Sequence, residues 1–115
     1  MNKDFLQFPC NIGITHQIIH GKWKLVILGV LVDKTLRFGE LHRTLPVDVR
    51  QGYLTKQLKE LERDGLVHRE VYKQVPPKVE YSLTEMGKEI IPVLQAMEVW
   101  GVKYRKRLEE LYPES

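Results

Sequence analysis

Apolar side chains recur along this chain at two different spacings, and the switches between them mark its elements. Ile14, Ile18 and Ile19 share one helical face over residues roughly 11 to 20, with Asn11 as the expected cap and Gly21 as the breaker. A second helix over about 22 to 32 carries Trp23, Val26, Ile27, Val30 and Leu31 around most of its circumference, the pattern of a helix surrounded by others. Leu36 to Phe38 allows only a small strand. Phe38, Leu41 and Leu45 then follow at helical spacing until Pro46 stops them, which predicts a short third helix.

The fourth helix is expected over about 50 to 63. Leu54, Leu58 and Leu61 form its inward stripe, and Gly52, Lys56, Lys59 and Arg63 fall on the opposite face. Asp64-Gly65 should end it, because glycine adopts the left-handed conformation at little steric cost. Residues 66 to 73 and 78 to 83 alternate with period two and are rich in Val and Tyr, so they predict a hairpin with Gln74 to Pro77 at its tip. Thr84 caps a last helical region in which Ile90, Leu94, Met97, Gly101, Tyr104, Leu108 and Leu111 keep an unbroken four-three spacing. Such a stripe calls for a partner. Pro92 lacks a backbone donor, so a kink or break is expected near residues 89 to 92.

Composition narrows the class. At 115 residues, 43% hydrophobic and 29% charged, the chain has the make-up of one soluble globular domain, here taken as 1–115. Within it, 1–9 is an N-terminal arm and 84–115 the dimerisation region. The apolar run from Leu25 to Val32 is too short to cross a bilayer, so no membrane partner is expected. Residues 1–9 lack the pattern of a signal peptide. One cysteine rules out an intramolecular disulfide and a multi-cysteine zinc site, which fits a reducing cytoplasm. A net charge of +3 permits an anionic partner without demanding one.

The position of the charges says more. Helix, short helix, polar-faced helix and hairpin, in that order, is the layout of a winged helix-turn-helix, mainly α with a small β-hairpin, in which one helix enters the major groove of DNA. Arg43, Arg50, Lys56, Lys59, Arg63, Arg69, Lys73 and Lys78 cluster on the segments expected to face phosphate, interleaved with Glu60, Glu62, Asp64 and Glu70. The stretches GKWK (21–24), LRFGEL (36–41), YLTKQLKELERDGLVHREVY (53–72) and VPPKVEYSLTEMG (75–87) closely resemble the HxlR family of bacterial winged-helix regulators, related in architecture to MarR proteins. The resemblance covers about residues 10 to 101. It implies a dimeric DNA-binding regulator without enzymatic activity, with residues 53–63 on the recognition helix and 69–78 on the wing. One departure stands at the start of that helix, where members carry Ser-x-Lys-Met-Leu-Thr and this chain has Arg50-Gln51-Gly52-Tyr53-Leu54-Thr55; Asp48 is the expected substitute cap.

The expected DNA contacts are Arg50, Gln51, Thr55, Lys56 and Lys59 on the helix and Arg69, Lys73 and Lys78 on the wing, reading a double-stranded, pseudo-palindromic operator. The expected homodimer interface is Ile90, Leu94, Met97, Trp100, Tyr104, Leu108 and Leu111. Cys10 lies near the start of the first helix, whose positive end favours an anion, and HxlR-type regulators include sensors of oxidants or electrophiles with a cysteine at this point in the chain. It is therefore the candidate redox-sensing residue, against the alternative of a small buried hydrophobe. His16 and His20 share a helical face at zinc-binding spacing but have no evident third ligand, and Trp23, Tyr53, Tyr72 and Trp100 read as core or interface aromatics. No cofactor is expected. An enzyme using Cys10 with His16 or His20 lacks an orienting third group, and the stronger rival is a winged-helix adaptor that binds protein instead of DNA.

Overall fold

A computed structural model describes residues 1–45 and 49–114. A 3-10 turn, Lys3–Gln7, leads into α1 (Asn11–Ile19), α2 (Lys24–Val30), β1 (Leu36–Arg37), α3 (Phe38–Thr44), α4 (Gln51–Arg63), β2 (Val67–Tyr72), β3 (Lys78–Leu83), α5 (Glu85–Lys88) and α6 (Ile91–Leu111). The strands form one antiparallel sheet in the order β1-β3-β2, with Val67 opposite Leu83 and Tyr72 opposite Lys78. The hairpin thus gains a third strand. Among the described residues no helix is long and apolar enough to cross a membrane.

The core lies where α2, α3 and α4 meet the base of the hairpin: Ile27, Leu28, Leu31, Leu41, Leu54, Leu58, Leu61 and Val67 are its fully buried side chains. The inward leucine stripe of α4 is as the spacing requires. α2 differs from expectation, because Val26 is 40% exposed and Gly29 is also exposed, so one side of this helix faces solvent. It is also shorter than residues 22 to 32, with Trp23 as its N-cap. Asp33, at φ 57°, turns the chain back after it. Lys24 is buried and pairs with Glu60 at 3.5 Å, which compensates a charge that burial alone would make costly.

Local chemistry sets the helix ends. Cys10, not Asn11, caps α1, its Sγ accepting the Gly13 N–H at 3.4 Å. Arg50 occupies the N-cap of α4 without a side-chain cap bond, and Asp48, the expected cap, lies outside the described residues. At the other end the Leu66 N–H bonds the Leu61 carbonyl at 2.9 Å and the Gly65 N–H the Glu62 carbonyl at 3.1 Å, with Gly65 at φ 81°; this paired closure leads straight into β2. Thr84 Oγ1 accepts the Gly87 N–H at 3.0 Å and starts α5. The break before Pro92 separates α5 from α6, and Pro92 sits in the first turn of the new helix, where its missing N–H costs nothing.

Candidate nucleic-acid interface

By burying Leu54, Gln57, Leu58 and Leu61, α4 turns Gln51, Gly52, Thr55, Lys56, Lys59, Glu62 and Arg63 outward. Two grooves flank this ridge. Gly52, Thr55, Lys56, Lys59, Arg63 and Glu60, the last paired with Lys24, line one, and Thr55, Leu58, Lys59, Glu62, Arg69 and Tyr81 line the other. The shared residues Thr55 and Lys59 make helix and hairpin one continuous surface. Thr55 Oγ1 donates to the Gln51 carbonyl at 2.9 Å, fixing its rotamer, and a Cβ at Gly52 would meet no atom within 4 Å.

Strand register distributes the wing residues. Side chains alternate across a sheet, so Arg69, opposite Tyr81, lies on the face turned towards α4. Lys78 lies on the other face, opposite Tyr72. Its Nζ is 3.4 Å from Glu80 and sits 4.8 Å above the Tyr72 ring. Hydrogen bonding to Glu80 and the charge of that carboxylate push the Tyr72 phenol above its ordinary pKa. Lys78 is therefore held away from the α4 grooves by its own strand. Arg63 is also engaged: Nε and Nη2 donate to the two Asp64 carboxylate oxygens at 3.2 Å each, and this hydrogen bonding raises its pKa. His68 is held to Glu70 at 2.7 Å. Among the described residues, no carboxylate pairs with Lys56, Lys59, Arg69 or Lys73, all of them exposed. The sequence signals for these restraints are short-range opposite charges, Arg63 beside Asp64 and Lys78 two residues before Glu80, which a count of basic residues overlooks.

The aromatic residues separate into two groups. The Tyr53 hydroxyl accepts the Lys22 N–H at 3.2 Å and, with Trp23, packs against the core. Trp100 and Tyr104 are stacked with ring centroids 5.2 Å apart and are 64% and 53% exposed. α6 has no buried residue at all. Ile90, Ile91 and Leu94 pack partly against the core, whereas Met97, Trp100, Tyr104, Leu108 and Leu111 project from it. Cys10 is a free, exposed thiol. His16 and His20 stand with ring centroids 5.0 Å apart, and among the described residues no third His, Cys, Asp or Glu completes a metal-holding group with them.

Residues 18–109, which span the helix-turn-helix, the polar outer ridge of α4 and the hairpin beside it, match the HxlR-like helix-turn-helix family. The chain belongs to that family. The helix-turn-helix-type transcriptional regulator YdeP of Bacillus subtilis (strain 168) is 53% identical over 102 residues, 89% of this chain and 79% of YdeP. Among solved structures, the redox regulator HypR in its reduced form has a TM-score of 0.81 at 48% identity, covering 88% of this chain and 99% of that one. The reduced transcriptional regulator YodB of Bacillus subtilis has a TM-score of 0.70 at 35% identity, covering 81% and 91%. This HxlR-type chain is a transcriptional regulator with a MarR-like winged-helix fold.

Proposed function

We propose that this HxlR-type regulator binds a pseudo-palindromic operator as a homodimer, with α4 in the major groove, the hairpin on flanking phosphate, and Cys10 as the group through which oxidants or electrophiles change binding. The observation that carries the DNA reading is the continuous surface on which exposed Lys56, Lys59 and Arg69, with Lys73 at the strand end, keep their charge free of carboxylate partners. Cations released from internal pairing are what phosphate neutralisation requires, and each phosphate contact adds to the salt dependence of affinity. Arg50, Gln51 and Thr55, at the exposed start of α4, are the residues assigned to groove and backbone contact there.

The wing charges give a graded test. Lys73→Ala is expected to weaken binding to operator and unrelated duplex alike, and to lower the slope of log affinity against log salt by about 1. Lys78→Ala should do distinctly less, because Lys78 is already satisfied by Glu80 and Tyr72. Fluorescence anisotropy across a salt series reads both. An unchanged slope in Lys73→Ala takes the wing off the DNA, and salt-independent retention of duplex would favour a protein-binding adaptor.

Exposure of the Cys10 thiol at the cap of α1, together with 48% identity to the redox regulator HypR, supports the sensing role. With one cysteine per chain, the routes are a Cys10–Cys10 bridge between subunits, a mixed disulfide with a small thiol, or an electrophile adduct. Any of them attaches a new group to the Sγ that accepts the Gly13 N–H and so crowds the start of α1. Diamide is therefore expected to lower operator binding of the wild type and to leave Cys10→Ser unaffected. Equal loss in both proteins removes Cys10 from the mechanism.

A further inference from the structure

We propose that Lys24, buried in the core, is a positioning residue for DNA binding: from behind α4 it neutralises the Glu60 carboxylate and holds it away from Lys56, so that the phosphate-facing groove keeps its positive charge. The inference rests on the DNA reading above and adds to it a residue that touches no DNA.

Glu60 is out of place in that groove. It lines the same hollow as Lys56, Lys59 and Arg63, where a free carboxylate would repel phosphate and offset one of the cations. Lys56 lies four residues before it and Arg63 three after, and both spacings put side chains within reach of each other on a helix surface. Among the described residues neither pairs with it. Instead, Glu60 Oε1 is 3.5 Å from Lys24 Nζ, and Oε2 accepts from Gln57 Nε2 at 3.3 Å. Lys24 and Gln57 are both buried, so the two carboxylate oxygens are held from the core side of α4.

Stability does not account for a lysine at this position. Lys24 is the first residue of α2, where the helix dipole disfavours a cation, and burial adds a desolvation cost that such ion pairs often fail to recover. A methionine would fill similar space with neither cost. The surroundings are nonetheless shaped for the polar group: a Cβ at Gly21 would collide with Gln57 Oε1 and come within 3.2 Å of Lys24 Cδ, so glycine there leaves room for both side chains. What the lysine gains is contact with Glu60. Without Lys24, the Glu60 side chain, already 26% exposed, turns outward and pairs with Lys56. One cation is then lost to phosphate and one repulsive charge is added.

A fluorescein-labelled duplex of random sequence, titrated by anisotropy at low and high salt, reads the charge of the groove, and thermal melts of the same proteins read the fold. Lys24→Met should weaken binding about three- to tenfold at low salt, and by less as salt screens the freed carboxylate. This variant keeps its fold because Glu60 can reach water. Glu60→Gln should do the opposite, tightening binding about two- to threefold, although it leaves Lys24 without a counter-charge and so lowers the melting temperature. Lys24→Met combined with Glu60→Gln should return to within about twofold of wild-type affinity and melt near the wild type. Affinity then follows the net charge of the pair, whereas stability follows its balance. Wild-type affinity in Lys24→Met overturns the inference, and so does a Glu60→Gln protein whose affinity falls together with its stability, the result expected of a purely structural lysine. A wild-type protein that fails to bind the duplex at low salt overturns the DNA reading as well.

Discussion

Met97→Glu combined with Leu108→Glu is expected to leave a folded monomer whose operator affinity has fallen about a hundred- to ten-thousand-fold. Both side chains are nearly half exposed in the single chain, at 44% and 43%, so their loss removes little from the core that holds α2, α3, α4 and the hairpin together. In the pair, each glutamate would have to enter an apolar interface without a partner, at a cost that the remaining contacts do not recover. Operator affinity is expected to fall when the dimer is lost, because two half-sites held by one particle bind at high effective concentration, and a monomer forfeits that factor. Leu94 is a poor choice for this experiment, since it also packs against the core. Light scattering should give the mass of one chain, with a melting temperature near that of the wild type and a residual affinity equal to that for unrelated DNA. Full operator affinity in a variant shown to be monomeric would exclude two-fold recognition.

Gly87→Ala should be the most destabilising conservative change in the chain, at about 3 kcal/mol, lowering Tm by about 10 °C or more. A Cβ at this position would stand 2.1 Å from the Leu66 carbonyl oxygen, and the contact is with backbone that has no freedom to retreat. That carbonyl accepts the Thr84 N–H at 3.0 Å, while Thr84 Oγ1 accepts the Gly87 N–H and donates to the Gly65 carbonyl at 2.5 Å. The end of α4, the start of β2 and the start of α5 are thereby tied in one knot. Displacing Gly87 would loosen the step that aims α6 away from the wing. Gly29→Ala and Gly52→Ala are matched controls, because neither Cβ would meet an atom within 4 Å; both should leave the melting temperature unchanged or raise it, each gaining up to about 1 kcal/mol of helix propensity. A melt of Gly87→Ala that overlays the wild type would show that the α5 contact can relax.

Periodicity alone determined much of this molecule, for reasons that are local. The leucine stripe of α4, the left-handed turn at Gly65, the alternating strands of the hairpin, the Thr84 cap and the break before Pro92 each follow from spacing or from one residue's backbone preference. The run of motifs from GKWK to the wing was likewise enough to point to the family that residues 18–109 match. Other features depend on which elements come together in space. The exposed side of α2 could not be read from a helix apolar around most of its circumference, because exposure is settled by the neighbours that arrive: here the core takes Ile27, Leu28 and Leu31 and leaves Val26 outside. The cap of α1 fell to Cys10 instead of Asn11 because chain entry set the first helical bond one residue earlier, from the Ile14 N–H to the Cys10 carbonyl. The need for glycine at residue 87 arises only because α5 crosses the Leu66 carbonyl, a meeting of segments 21 residues apart. Composition supplied the basic residues, but strand register and short-range pairing decided their availability: Lys78 was turned to the far face beside Glu80, Arg63 was bound by Asp64, and Lys59 and Arg69 were brought to one groove. A side chain's charge is written in the sequence, whereas its freedom to meet phosphate depends on which carboxylates the fold sets within reach.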